Sequence, residues 1–413
     1  MNWQITALEN GLRVITIHRP GTRTVAARVY VRAGSRYDGP HCGLAHFLEH
    51  ILFKGTVTRS PREIYAAIEA RGGEINATTT REYASFRTVT LARDLPLALE
   101  LLADVVIRPA LAGGAFLVER LVVLQEILHA KDHIGILNDL FVQTLWQQHP
   151  LRGPVLGTLE GLRDLQLELL RAYHQEWYVA GNALLVICGD IEPETALTTA
   201  QAAFAEFPPG PEQPPEPVEE PPLAERRLAH LEKDIHRTYL LIGVPTVGMK
   251  HPDRSPLKAI ELALGMGGSG RLYQRLREEQ GLVYSVYTVT ANYEDAGFLG
   301  IRAACAPENV EAVREAILAE WDVLRQDGLG EQELEAVKGN YAGTSARRFE
   351  TNTAIAGIFG IEGLLHQVEP FDEAIARIEA VTQAQVLDAA RRYLNCERYA
   401  LATVGRGGMG SAD

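Results

Sequence analysis

Residues 208–222 read PPGPEQPPEPVEEPP, and this stretch holds eight of the chain's 21 prolines. Proline has no amide hydrogen and a fixed φ, so a run of this kind neither continues a helix nor joins a sheet interior; it reads as an extended spacer. It lies at the middle of 413 residues, a length that suits two domains better than one. The expected organisation is a domain of residues 1–207, a Pro/Glu-rich linker of residues 208–222, and a second domain of residues 223–413.

The two halves resemble each other. Each opens on β-rich segments: Leu12–His18 and Val25–Val31 in the first, Arg227–Leu231 and Thr238–Val244 in the second. The first half closes on LLRAYHQEWYVAGNALLVICGD and the second on LDAARRYLNCERYALATVG, both read as helix, short loop and buried strand. A diverged duplication accounts for this. Strands come in pairs, whereas Leu95–Ile107, Ala115–Lys131 and Asn138–Gln147 are successive helical patterns with no strand between them. The fold class expected is therefore α+β. Each of the two homologous domains should hold a mostly antiparallel sheet with helices packed on one face.

With 46% hydrophobic and 23% charged residues, the composition is that of a globular protein. The formal charge of −13 argues against nucleic acid or an anionic membrane surface as partner, since both call for a basic patch. Four scattered cysteines form no C-x-x-C pair, so neither a thiolate metal site nor a disulfide framework is indicated. The first residues, MNWQITALENGLRV, lack a basic segment leading into an apolar one, and no apolar run has the length of a membrane span. The chain reads as cytoplasmic.

The chemistry gathers in Gly43–Thr56, GLAHFLEHILFKGT. Leu44, Phe47, Leu48, Ile51 and Leu52 recur at helical spacing, and Gly55 is a stop signal. His46 and His50 stand four apart, so both imidazoles share a helix face and reach one metal ion. Glu49 lies beside that ion without having to bind it, in position to take a proton from water. Scattered at random over 413 positions, 12 histidines and 53 acidic residues would produce this triplet about 0.04 times. A catalytic zinc needs a third protein ligand, and the helical pattern ERLVVLQE offers Glu119 and Glu126, seven apart on one face.

H-x-x-E-H is the inverzincin signature. With ERLVVLQE, it resembles the family of pitrilysin, insulin-degrading enzyme and the mitochondrial processing peptidase. The resemblance runs along nearly the whole chain, through GGEINATTTRE (Gly72–Glu82), HPLRGPVLGT (His149–Thr158) and LREEQGLVYSVY (Leu276–Tyr287). It implies one Zn2+ per chain held by His46, His50 and Glu126, with Glu49 as general base and Glu119 as an accessory carboxylate orienting the site. It also implies that Asn76, Ala77 and Thr78 lie on an edge strand pairing with substrate, and that Arg277 and Tyr284 contact substrate from the second half. The activity implied is a zinc endopeptidase acting on peptides or unfolded segments inside a chamber closed by two chains. Both functional sets lie on one chain, so a homodimer is the simpler expectation, a heterodimer with a homologous subunit the alternative.

Two other functions compete. A noncatalytic partner subunit of the same fold would be expected to have lost a ligand or the base, and all four positions are present here. A pure metal-binding module has no need of Glu49. GMGGSG (Gly265–Gly270) satisfies G-x-G-x-x-G but follows a helical pattern, so it reads as a loop between helices rather than a dinucleotide site. His129 and His133 also stand four apart but lack a matching ligand segment, and read as a surface pair.

Overall fold

The computed structural model describes residues 2–128, 133–365 and 368–407. Its first sheet contains β1 (Asn2–Ala7), β2 (Arg13–His18), β3 (Thr24–Val31), β4 (Glu74–Thr79), β5 (Ala84–Leu91) and β6 (Ala183–Gly189), in the order β1-β2-β6-β3-β5-β4. The second contains β7 (Arg227–Glu232), β8 (Thr238–Val247), β9 (Val283–Asn292), β10 (Ala296–Cys305) and β11 (Ala400–Gly405), in the order β7-β11-β8-β10-β9. Each sheet is antiparallel except for one pair, β2 with β6 and β7 with β11. That pair holds the same place in both, and the second sheet repeats the first from β2 onward. The duplication read from the sequence is thus visible in strand order, and the α+β class holds.

The chain forms two compact units, and neither is one continuous half. The first comprises Met1–His129, Gly153–Glu216 and Arg348–Glu369; the second comprises Ala130–Arg152, Pro217–Arg347 and Pro370–Asp413. The expected division into 1–207 and 223–413 is therefore modified by an exchange, in which each half of the chain gives a helix to the unit built mainly from the other.

This exchange also corrects the expectation of helices on one face. Helix Asn352–Leu364 covers the second face of the first sheet, where Ile355, Ala356, Phe359 and Leu364 meet Ile15, Tyr30, Leu184 and Val186. In the other unit, helix His133–Leu145 sets Leu137, Phe141 and Val142 against Leu241, Ala402 and Val404. The cause is visible in the strands: every residue of β6 and β11 is buried, and a strand apolar on both sides needs cover on both sides. Gly360 makes the close approach possible, since a Cβ there would lie 1.9 Å from Tyr30 Cε2.

The proline segment has no helix or strand, as expected, but it is pinned rather than free. In the first unit, Ala180 N–H donates to the Pro208 carbonyl at 2.8 Å and Gln213 N–H to Asn182 Oδ1 at 3.0 Å. Glu212 pairs at 2.9 Å with Arg32, which is 2% exposed. In the second unit, Glu220 accepts the backbone N–H groups of Gln147, Gln148 and His149 at 2.7–2.8 Å. No helix among the described residues is long and apolar enough to cross a membrane.

Candidate metal centre

The helix bearing the motif spans Leu44–Leu52, and its start is fixed from outside. Asp38, buried in the preceding loop, accepts Gly43 N–H at 2.7 Å and Ala45 N–H at 2.9 Å, satisfying amide groups that a helix start leaves open. Burial pushes the Asp38 carboxyl up to about 7, with these amide donors pulling the other way. Gly43 takes φ +96°, and Gly157 packs so near that a Cβ on Gly43 would stand 2.8 Å from its Cα. Ala45, Phe47, Leu48, Ile51 and Leu52 fix the helix in the core. Phe47 also meets Phe116 edge-on at 5.3 Å, tying it to helix Gly113–Leu128, which carries Glu119 and Glu126.

Three groups converge there. His46 Nε2 and His50 Nε2 are 3.2 Å apart, and Glu126 Oε2 is 3.4 Å from the latter and 4.0 Å from the former. The ligand atoms of His46, His50 and Glu126 all lie within 4.8 Å of one another, the one such group among the described residues. Ligands of a tetrahedral zinc at about 2.0–2.1 Å would stand roughly 3.3–3.4 Å apart. Two edges agree closely with that figure, and the third closes with a shift of less than an ångström at the exposed Glu126. Two imidazoles and a carboxylate are a zinc donor set, so residues and spacing both fit the ion.

The surroundings prepare these groups. Burial, then the neighbouring His50, lowers the pKa of His46 to about 4, so its ring is neutral at pH 7 with a lone pair to give. His50 Nδ1 lies 2.9 Å from Glu119 Oε1, an arrangement that leaves Nε2 available to a metal ion. Glu119 is buried at 2% exposure and takes no place among the three converging atoms. Glu49 accepts a hydrogen bond from the Thr79 hydroxyl. Burial raises its pKa, with Thr79 and His50 working against the rise, which makes it a stronger base than an exposed glutamate.

Asn76, Ala77 and Thr78 lie on β4, which among the described residues pairs only with β5 and forms an edge of the sheet. Asn76 Oδ1 takes Ala77 N–H and the Thr78 hydroxyl donates to the Ala77 carbonyl, each at 2.8 Å, so edge groups are met by side chains rather than by a further strand. In the second unit, Arg277 donates to the Tyr284 carbonyl, and Arg237 stacks over the Tyr284 ring at 4.5 Å. Tyr284, half exposed, lies on β9, the corresponding edge of its sheet. Gly267–Ser269 is a short turn between helical segments, as the loop reading of GMGGSG requires. His129 lies outside the described residues, so the pair with His133 is not described.

Sequence reasoning missed Asp38 and Thr79. Thr79 directly follows Asn76–Thr78 and had a positional cue. Asp38 had none, since its role depends on a loop folding back onto the helix start.

Residues 13–159 match the family described as insulinase (peptidase family M16), and residues 164–341 match the peptidase M16 inactive domain. An uncharacterized zinc protease of Mycobacterium leprae is 33% identical over 405 residues, covering 97% of this chain and 91% of that protein. The uncharacterized zinc protease YmxG of Bacillus subtilis is 30% identical over 403 residues, covering 97% of each. Among solved structures, a protease from Helicobacter pylori shares the fold with a TM-score of 0.92 at 22% identity, over 98% of this chain and 99% of that one. A peptidase M16 inactive domain from Pseudomonas fluorescens has a TM-score of 0.88 at 23% identity, over 98% of both chains. Motif, family models and relatives agree, and the chain belongs to the insulinase family of peptidases, family M16.

Proposed function

We propose that this protein is a zinc-dependent endopeptidase that hydrolyses peptides or unfolded segments. The convergence of His46, His50 and Glu126 within 4.8 Å, beside the half-buried carboxyl of Glu49, carries the reading. The relatives' name, zinc protease, supports the choice of ion. Held by His46, His50 and Glu126, zinc would supply a Lewis acid able to polarise a scissile carbonyl and acidify an attacking water. Glu49 takes the proton of that water and returns it to the leaving amine, while Thr79 holds its carboxylate in place. Glu119 fixes the orientation of His50.

The open edge of β4 supports substrate binding by strand addition. An extended peptide beside Asn76–Thr78 would displace the Asn76 and Thr78 side chains from the Ala77 amide and carbonyl and take main-chain hydrogen bonds almost independently of its sequence, and the same strand ends at Thr79, in contact with the base. We assign Arg277 and Tyr284 the role of fixing the peptide and steadying the oxyanion. We further propose a cytoplasmic homodimer whose two chains enclose the chamber, which would admit flexible chains and exclude folded ones.

The test is metal analysis of the purified chain with a peptide-library digest, with and without a chelator. Cleavage that depends on about one zinc per chain is expected. Glu49→Gln should retain the metal and lose about 10²–10⁴-fold in turnover. Turnover that survives this substitution removes Glu49 as base, and cleavage indifferent to chelation removes the proposal.

A further inference from the structure

We infer that Lys54 is a positioning residue of the metal centre that acts through Glu119, an inference resting on the zinc reading above. Lys54 Nζ lies 2.8 Å from Glu119 Oε2, while Oε1 of the same carboxylate lies 2.9 Å from His50 Nδ1. One carboxylate therefore bridges an ammonium and a metal-ligand imidazole. The bridge follows from helical spacing. His50 stands four residues after His46 and Lys54 four after His50, so the three form one row. The helix ends at Leu52, but Lys54 N–H still bonds the Ile51 carbonyl at 3.0 Å, which keeps Lys54 in line with the row. Glu119, from the neighbouring helix Gly113–Leu128, enters between His50 and Lys54.

Burial shows which group depends on which. Glu119 is 2% exposed and Lys54 39%. Lys54 could be solvated without a partner; a carboxylate shut away from water needs a counter-charge and filled hydrogen-bonding positions. Among the described residues, Lys54 is the lysine or arginine that reaches Glu119. With Oε2 held, the carboxylate has one orientation, and Oε1 accepts the Nδ1 proton of His50. The Nε2 lone pair is then aimed at the point shared with His46 and Glu126. Without Lys54 the carboxylate can turn about its χ angles, and that aim is lost.

The experiment measures zinc affinity by competition with a chromophoric chelator, a readout independent of peptide cleavage. It uses the full-length parent, Lys54→Met, Lys54→Arg, Glu119→Gln and the Lys54→Met/Glu119→Gln double variant. Lys54→Met should weaken zinc binding by about 10–100-fold, the range for partners that orient metal ligands. In the Glu119→Gln background the same change should cost less than about threefold, because the group it acts through is gone. Lys54→Arg, which keeps a cation at the end of a long side chain, should recover most of the loss. Parental affinity in Lys54→Met overturns the inference, as does an equal loss in both backgrounds. A parent chain that binds no zinc ends the metal-centre reading altogether, whereas a parent that binds it and a Lys54→Met variant that binds it equally ends only the role of Lys54.

Discussion

Glu126 contributes differently from the two histidines. His46 and His50 are fixed by one turn of one helix, whereas Glu126 comes from a second helix and is half exposed. Its carboxylate supplies the negative charge among the three donors. Glu126→Gln should keep the fold, because little is buried there, and weaken zinc binding at least tenfold, with chelator competition as the measurement. Unchanged affinity would move the third ligand elsewhere. The two histidines and Glu49 were legible because a 3.6-residue period places them from sequence alone. Glu126 and Glu119 were legible as a helix face, and their roles came only from the family resemblance, since no local rule says which other helix a helix will face. Asp38 and Thr79 stayed hidden because each acts on a residue brought near by tertiary folding.

Helix Asn352–Leu364 illustrates the same limit one level up. Three glycines, three isoleucines and a threonine make residues 352–364 a poor helix former, so packing rather than propensity holds the helix, and nothing in those residues names the sheet on which it packs. The apolar runs of β6 and β11 did carry a signal, since strands buried throughout demand two covered faces, whereas the expectation of one-sided packing was drawn from the succession of helical patterns. Gly360 now provides a test. In an exposed helix, Gly→Ala stabilises by about 1 kcal/mol. Here the added methyl meets the ring of Tyr30, which is 0% exposed and cannot move aside. Overpacking costs about 1–3 kcal/mol, so the clash should outweigh the propensity gain. Gly360→Ala is expected to lower the urea midpoint; a raised midpoint would show that this helix does not lie on the first sheet as described.

At the scale of the molecule, the proline segment correctly marked the middle of the chain but not the division of its mass. Composition identifies a stretch that cannot join a core, and says nothing of helices that leave one half for the other. A fragment of residues 1–216 would lack the helix that covers Ile15, Tyr30 and Leu184. One of residues 217–413 would lack the helix that covers Leu241 and Val404. Each fragment alone should expose a broad apolar sheet face, bind a hydrophobic dye and precipitate, whereas the two refolded together should give a soluble, cooperatively melting complex. Independent folding of either fragment, by circular dichroism and melting, would contradict the exchange.

The anchoring of residues 208–222 adds a consequence for wear. A protease that nicks this stretch would sever the covalent thread and liberate neither piece, because each already has a helix threaded into the body of the other. The chain thus acts as its own non-covalent staple, and a cut in this stretch should go unnoticed until the protein is denatured.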